Sequence, residues 1–199
     1  MHPLDYSSSI PPHIRVGQFV ADEPRLAWLF PFLQHVPRAE AYIVGGTARD
    51  AVRGVLPKSL HVVIRNLPQA DLNEALRKFN TDSDIDVSLP LNNGQPEPYA
   101  PITYDLGQRD FTVNSMAYSL NSGLLIDPFG GLRDIDDRTI RAVGRPSARL
   151  SEQPIRSLRA LRFGSEHGYG INDSTWQTLK TELPRLNRIV SNDDGSAIY

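Results

Sequence analysis

The stretch AYIVGGTARDAVRG (41–54) limits the possible folds more than any other part of the sequence. AYIV reads as a short buried strand that stops at Gly45 and Gly46. The residues after it predict a short helix, with Thr47 as its N-cap and Gly54 as its C-terminal stop. Glycines let a backbone approach a phosphate closely, and a helix N-terminus offers unpaired N–H groups to it. The stretch therefore predicts an α/β fold with a phosphate-binding turn, although such a turn is more often only a connection.

Apolar periodicity divides the rest of the chain into a region of strands and helices and, from Pro146 onward, a region of helices alone. The second half of DFTVNSMAYSL (110–120) is predicted to be helical, and the Ser- and Pro-rich first 14 residues are predicted to be irregular. The other predicted elements are strands at 60–65, 84–90, 139–144 and in GLLIDPFGG (123–131), where the strand turns into a Pro/Gly corner, and helices at 23–36, 70–79, 154–168 and 173–189.

Charge and composition exclude several classes of protein. The formal net charge is −2, which is not the balance of a protein that coats nucleic acid, so any RNA contact requires a local basic patch. There is no cysteine, which excludes disulfides and thiolate metal sites. We see no secretory signal and no apolar run long enough to span a bilayer, and we expect a soluble, cytoplasmic protein without membrane contact.

Four segments in a fixed order carry a family resemblance. They are YIVGGTARD (42–50), QRDFTVNSMAY (108–118), LLIDPFGGLRDIDDRTIRAVG (124–144) and RLSEQPIRSLRALRF (149–163). Together they closely resemble the head domain and the start of the neck of the bacterial-type (class II) tRNA nucleotidyltransferase and poly(A) polymerase family. The resemblance covers roughly residues 40 to 190.

The resemblance implies an α+β fold, with a polymerase-β-type nucleotidyltransferase head, a small mixed sheet with helices, before a helical neck. On this basis we divide the chain into an N-terminal segment and helix (1–36), the head (37–145), a truncated neck (146–190) and a tail (191–199).

The resemblance also implies an activity, the template-independent addition of CMP or AMP to the 3′ end of tRNA or another RNA. CTP, ATP and the RNA 3′ end would be the partners, and two Mg²⁺ ions held by carboxylates would assist the phosphoryl transfer. The residues that it assigns to nucleotide binding are Gly45, Gly46, Arg49, Asp50, Arg109, Asp110, Asn114, Glu152, Gln153, Arg156 and Arg159.

The chain departs from the family at the metal site. Where the family carries Asp-x-Asp, the matching segment here is PKSLHVVIRNLP (57–68), so Ser59 and His61 occupy the aspartate positions. A serine hydroxyl is a weak neutral ligand for Mg²⁺, and a histidine nitrogen suits Zn²⁺ better. Asp86 matches the family's third carboxylate, and Asp84 with Asp86 forms a second Asp-x-Asp that is a candidate replacement metal site.

Other departures lie around the same site. Gln153 stands where the family reads the base with an aspartate, and Gln108 stands where an arginine is usual. A strand before DIDV (84–87) is expected to be deleted, and the body and tail domains are expected to be absent. Of the remaining arginines, Arg141, Arg145, Arg149 and Arg162 are predicted to lie on a solvated helix face.

Two hypotheses follow. The first is a degenerate, inactive member, a pseudoenzyme with residual nucleotide or RNA binding, little or no Mg²⁺ binding, and self-association through surface left by the absent domains. The second is an active nucleotidyltransferase head that uses Asp86 with Asp84 or Asp110 as metal ligands, with a partner chain completing it.

Overall fold

The computed structural model describes residues 10–79 and 84–190, with side chains up to residue 184. Its centre is a five-stranded mixed sheet in the order β3-β2-β1-β6-β7. The strands are β1 (Glu40–Val44), β2 (Leu60–Arg65), β3 (Ile85–Ser88), β6 (Ala117–Ser119) and β7 (Leu125–Ile126). Three of the pairings are antiparallel, and β2 runs parallel to β3. The predicted small mixed sheet is thereby confirmed.

Helices surround the sheet and continue beyond it. They are α1 (Pro12–Asp22), α2 (Leu29–His35), α3 (Gly45–Val52), α4 (Gln69–Lys78), α5 (Ile102–Gly107), α6 (Gly131–Asp136), α7 (Pro146–Glu152), α8 (Ile155–His167) and α9 (Asp173–Val190). Two short 3₁₀ turns lie at Pro24–Leu26 and Thr112–Asn114. Among the described residues, no helix is both long and apolar enough to cross a bilayer.

The alternation of side chains along β1 separates two apolar cores, one on each face of the sheet. Ala41 and Ile43 point into the larger core, which α1, α2 and α4 complete. Tyr42 and Val44 point to the other face, where Ile102 of α5 packs against them. Both faces of the central strand are therefore buried, which explains its uninterrupted apolar sequence.

A third core joins the region around the five-stranded sheet to helices α7, α8 and α9. Phe111 and Ile140 pack with Leu150, Phe163 and Leu179, which belong to α7, α8 and α9. The rings of Phe111 and Phe163 meet edge to face, with centroids 5.9 Å apart. This core fixes α8 against the sheet domain.

Several local predictions were wrong, and in the first two cases below a contact distant in the sequence overrides the local pattern. The segment expected to be helical before residue 120 forms β6, because it pairs with β1. A strand also occurs after Pro146, since β9 (Gly170–Ile171) pairs with β8 (Thr139–Ile140). The loop that follows β3 contains a two-stranded hairpin, β4 (Leu91–Asn92) with β5 (Gln95–Pro96).

The N-terminal predictions also need correction. Helix α1 begins at Pro12, within the stretch that was expected to be irregular, and residues 1–9 lie outside the described part. A proline is favourable at a first helical position, because its missing N–H has no partner there in any case. Pro31 lies within the first turn of α2 and does not break the helix, and α9 likewise continues past Pro184.

Gly131, the first residue of α6, allows the closest backbone contact in this region. A Cβ atom there would overlap the carbonyl oxygen of Thr112 and lie 2.9 Å from Met116 Cγ. We expect Gly131→Ala to lower the free energy of unfolding by about 1–3 kcal/mol, as overpacking does. Urea denaturation of this variant and of Gly46→Ala would test it, because a Cβ at Gly46 would come no closer than 3.6 Å to Arg49. Equal stability of the two variants would contradict the expectation.

Candidate nucleotide cleft

A cleft of about 390 Å³ opens where the start of α3, the start of β2 and one side of α8 meet. One wall comes from residues 45–114, around the five-stranded sheet, and the other from residues 153–163, at the end of α7 and along α8. The lining residues are Gly45, Gly46, Arg49, Ser59, His61, Arg109, Asp110, Asn114, Gln153, Arg156, Arg159, Arg162 and Phe163.

The glycine turn forms the floor of the cleft. Gly45 has a φ of +64°, a conformation that favours glycine, and a Cβ there would lie 2.7 Å from Arg109 Nη1. Thr47 is not the N-cap that the sequence predicted, since the helix begins at Gly45. Instead, the Thr47 hydroxyl donates to the carbonyl of Ser59 (3.0 Å) and accepts from the backbone N–H of His61 (2.9 Å). These two bonds hold the start of β2 beside the start of α3.

Arg49 is buried and fully engaged by protein groups. Its Nε and Nη2 donate to the Asp50 carboxylate at 2.9 and 3.0 Å, and its Nη1 donates to Asn114 Oδ1 at 2.7 Å. Its guanidinium also lies 5.4 Å from the ring centroid of Phe163. Asp50 therefore positions Arg49 and does not itself line the cleft.

Arg109 and Arg159 are held in different ways. The Arg109 Nε and Nη2 donate to Asp105 Oδ2 at 3.0 and 2.8 Å, which leaves Nη1 beside the glycine turn. Arg159 Nη2 lies 2.9 Å from Asp110 Oδ2 as an ion pair, although the pair falls outside hydrogen-bond geometry. Asp110 Oδ1 also accepts from the Phe111 N–H and from Asn114 Nδ2. The Asp110 carboxylate is thus buried and already bonded.

Ser59, His61 and Asp86 form a hydrogen-bonded chain at one side of the cleft. Because β2 and β3 pair in parallel, His61 lies opposite Asp86. His61 Nδ1 is 3.1 Å from Asp86 Oδ2, and His61 Nε2 is 3.0 Å from Ser59 Oγ. The carboxylate can only accept, so Nδ1 donates to Asp86, and Nε2 faces the Ser59 hydroxyl. Both ring nitrogens are therefore occupied.

The donor set at this point does not fit Mg²⁺. The ion requires hard oxygen ligands, chiefly carboxylates, and Asp86 is the only carboxylate in the chain of bonds described above. Asp84 is exposed and precedes β3, and Asp110 is bonded elsewhere. Among the residues that the structure describes, no group of three or more histidine and carboxylate side chains could hold a metal ion.

The wall formed by α7 and α8 carries the remaining polar groups. Arg156 Nη1 donates to Glu152 Oε2 at 2.6 Å, and Arg156 Nη2 donates to the carbonyl of Gln108 at 2.9 Å. Glu152 also pairs with Arg149 at 2.8 Å. Glu152 thus fixes Arg156 without lining the cleft, whereas Gln153 does line it.

Gln108 lies outside the cleft. Its side chain bonds the Leu91 carbonyl and the Gly94 N–H of the β4–β5 hairpin.

Most of the residues expected at the site converge in the structure. Of the predicted set, Asp50, Glu152, Asp84 and Asp86 do not line the cleft, and Asp86 reaches it only through His61. The sequence interpretation missed Phe163 and assigned Arg162 to a solvated face. Helical spacing could have indicated both, because they follow Arg159 by three and four residues on α8.

Comparisons with known proteins give a consistent result. The family described as "Poly A polymerase head domain" matches residues 89–141. The "CC-adding tRNA nucleotidyltransferase" of Halalkalibacterium halodurans is 39% identical over 153 residues, which is 71% of this chain and 38% of that protein.

Two solved structures share the fold. The Bacillus stearothermophilus CCA-adding enzyme in complex with CTP has a TM-score of 0.71 at 28% identity, over 83% of this chain and 45% of that one. The Thermotoga maritima CCA-adding enzyme complexed with tRNA_CCA has a TM-score of 0.70 at 27% identity, over 87% and 46%. The chain thus spans less than half the length of each of these relatives.

Proposed function

Because the matched part of this chain belongs to the bacterial-type tRNA nucleotidyltransferase and poly(A) polymerase family, we propose that its cleft binds a nucleoside triphosphate through arginines without Mg²⁺. We further propose that it does not transfer a nucleotide by the family's two-metal route, and that it is a pseudoenzyme. The nucleotide is CTP or ATP, and an RNA 3′ end is the second partner. The relatives solved with CTP and with tRNA support this choice of ligands.

The charge of the cleft supports binding of a polyanion. Five arginines line it, and Asp110 is the one carboxylate among the lining residues. Arginine forms short, charge-assisted bonds to phosphate oxygens. Each of the five is also ion-paired with a carboxylate, and four of these carboxylates lie outside the lining. We infer that a triphosphate replaces part of these pairings and is held by arginine N–H groups without a bound cation.

The proposed loss of two-metal catalysis rests on one observation. Ser59, His61 and Asp86 form a hydrogen-bonded chain where the family carries its aspartates. In this arrangement both ring nitrogens of His61 are engaged in hydrogen bonds, and the ring supplies no hard oxygen ligand for Mg²⁺. Two positions at which the family places negative charge are neutral. Transition-state charge on a phosphoryl group is normally offset by such metal ions, so their loss removes the main source of catalysis.

Calorimetric titration of the chain with CTP and with ATP would test the proposal. We expect binding in EDTA to equal binding in Mg²⁺ or to be tighter by up to about tenfold, because Mg²⁺ screens the phosphates from the arginines. Tighter binding in Mg²⁺ than in EDTA would contradict the metal-free mode, and no binding in either buffer would contradict nucleotide binding itself.

A parallel assay addresses chemistry. The chain is incubated with labelled CTP and ATP, a tRNA that lacks its CCA end, and Mg²⁺ or Mn²⁺. We expect no extension of the RNA. Extension would favour the alternative, an active head that uses Asp86 with Asp84 or Asp110, and substitution of each carboxylate by asparagine would then identify the ligands.

A further inference from the structure

A second cavity, of about 620 Å³, shares no lining residue with the nucleotide cleft. It lies between α1, the end of α3, α6 and the end of α8. Its charged lining consists of Arg15, Arg53, Arg138 and Asp136, with His167 beside them. Positive side chains thus outnumber negative ones at a place that the proposed function does not use.

The arginines of this cavity differ in their bonding. Arg53 is paired with Asp50 at 3.3 Å, and its guanidinium lies 5.6 Å from the ring centroid of Tyr169. Arg15 and Arg138 make no ion pair with another described side chain. Arg15 Nε is buried and has no hydrogen-bond partner among the described residues. Burying such a donor is costly unless something accepts from it.

His167 also lines this cavity, and its ring carries a second buried nitrogen without a partner. Arg53 Nη1 lies 3.5 Å from His167 Nδ1, and since a guanidinium can only donate, Nδ1 is the acceptor and Nε2 carries the proton. His167 Nε2 is buried and has no partner in the described part of the chain. Every unsatisfied group at this point is therefore a donor, and the arginines add positive charge. That combination is complementary to an oxyanion.

We propose that this cavity is a second anion site, which takes a phosphate group, either free or as part of an RNA backbone or a phosphorylated small molecule. Side-chain rotation of Arg15 and His167 brings their buried N–H groups to the phosphate oxygens. The site shares no lining residue with the cleft, although Asp50 pairs with both Arg49 of the cleft and Arg53 of the cavity.

The electrostatic environment of His167 supports the assignment. Burial lowers the pKa of His167, and the nearby Arg49 and Arg53 lower it further, whereas Asp50 and Glu166 act in the opposite direction. A bound anion would favour the protonated imidazole and raise this pKa. The histidine is therefore a sensitive reporter of occupancy.

Two histidines allow the two sites to be read separately by NMR. His61 lines the cleft and His167 lines the second cavity. Titration with inorganic phosphate is expected to shift the imidazole signals of His167 and to raise its pKa, whatever happens at His61. Repeating the titration with a short single-stranded RNA distinguishes a backbone phosphate from the free ion.

Variants make the test decisive. Arg138 has a φ of +49°, which asparagine tolerates, so Arg138→Asn removes the charge without straining the backbone. We expect Arg138→Asn and Arg15→Gln each to raise the phosphate concentration that gives half of the His167 shift about tenfold or more. The control is Arg133→Gln on α6, where the arginine is 83% exposed and paired with Asp137, and it should change the response less than about twofold. A His167 signal that does not move, or that moves equally in Arg138→Asn and the control, would overturn the proposal.

Discussion

Replacing both Ser59 and His61 by aspartate is expected to create a divalent-cation site at the start of β2. The two new carboxylates would lie beside Asp86, because β2 and β3 pair so that position 61 is opposite Asp86. At about 1.4 kcal/mol for each added carboxylate, affinity for Mn²⁺ would rise about 100-fold. Calorimetry or the electron paramagnetic resonance of Mn²⁺ would measure the change directly.

Protein stability offers a second measurement for the same variant. Three carboxylates close together repel one another when no cation is bound, so the double aspartate variant should unfold at a lower temperature in EDTA. Mg²⁺ should restore its stability by binding only to the folded form. The matched control is Ser59→Asn with His61→Asn, which has the same shape without the charge and should not respond to Mg²⁺.

The activity of the double aspartate variant separates two causes of the proposed inactivity. If the natural chain adds nothing to RNA and the variant adds CMP in Mg²⁺, the missing carboxylates alone account for the difference. If it binds Mn²⁺ but adds nothing, other parts of the site are also altered, and Gln153 is the first position to restore to aspartate. Equal Mn²⁺ binding by the aspartate and asparagine variants would show that these positions do not form a metal site.

Arg109→Gln is expected to have the largest effect on nucleotide binding. Arg109 Nη1 lies beside the glycine turn while the other guanidinium nitrogens bond to Asp105, so the side chain is held in place for a phosphate. Loss of a charge-assisted bond of about 1.5–3 kcal/mol would weaken CTP and ATP binding about 10- to 100-fold. Titration calorimetry in EDTA would measure it.

Two controls keep this test specific. Arg109→Gln leaves the buried Asp105 without its partner, so the double variant Asp105→Asn with Arg109→Gln should show the same loss of affinity with less loss of stability. Arg77→Gln removes the same charge from an exposed position on α4 and should bind CTP as the natural chain does. If Arg77→Gln weakened CTP binding as much as Arg109→Gln does, net charge rather than a contact in the cleft would govern the affinity.

The parts of the site that sequence could predict are those encoded locally. A strand, two glycines and a helix were recognisable because each depends on neighbouring residues, and the order of four motifs identified the fold. The replacement of aspartates by Ser59 and His61 was also visible in the sequence. Its structural outcome was not, because the bond from His61 to Asp86 depends on the pairing of two strands 25 residues apart.

The errors follow the same rule. Thr47 has the residue type of an N-cap, but its hydroxyl bonds to backbone groups of Ser59 and His61 at the start of β2. The segment before residue 120 has helical periodicity, yet the free edge of β1 provides backbone partners that make it a strand. Interactions between distant residues decided both outcomes, and a single sequence contains little information about them.

The core around Phe163 has a consequence for the order in which the chain folds. The sheet domain supplies one wall of the cleft and α8 the other, so the cleft forms only after a long loop has closed around Phe111 and Phe163. A chain in which α8 has detached keeps its sheet but has no complete cleft. Nucleotide would therefore favour the form in which α8 is docked. It should slow proteolysis within α7, which joins the sheet region to α8, more than cleavage within the sheet.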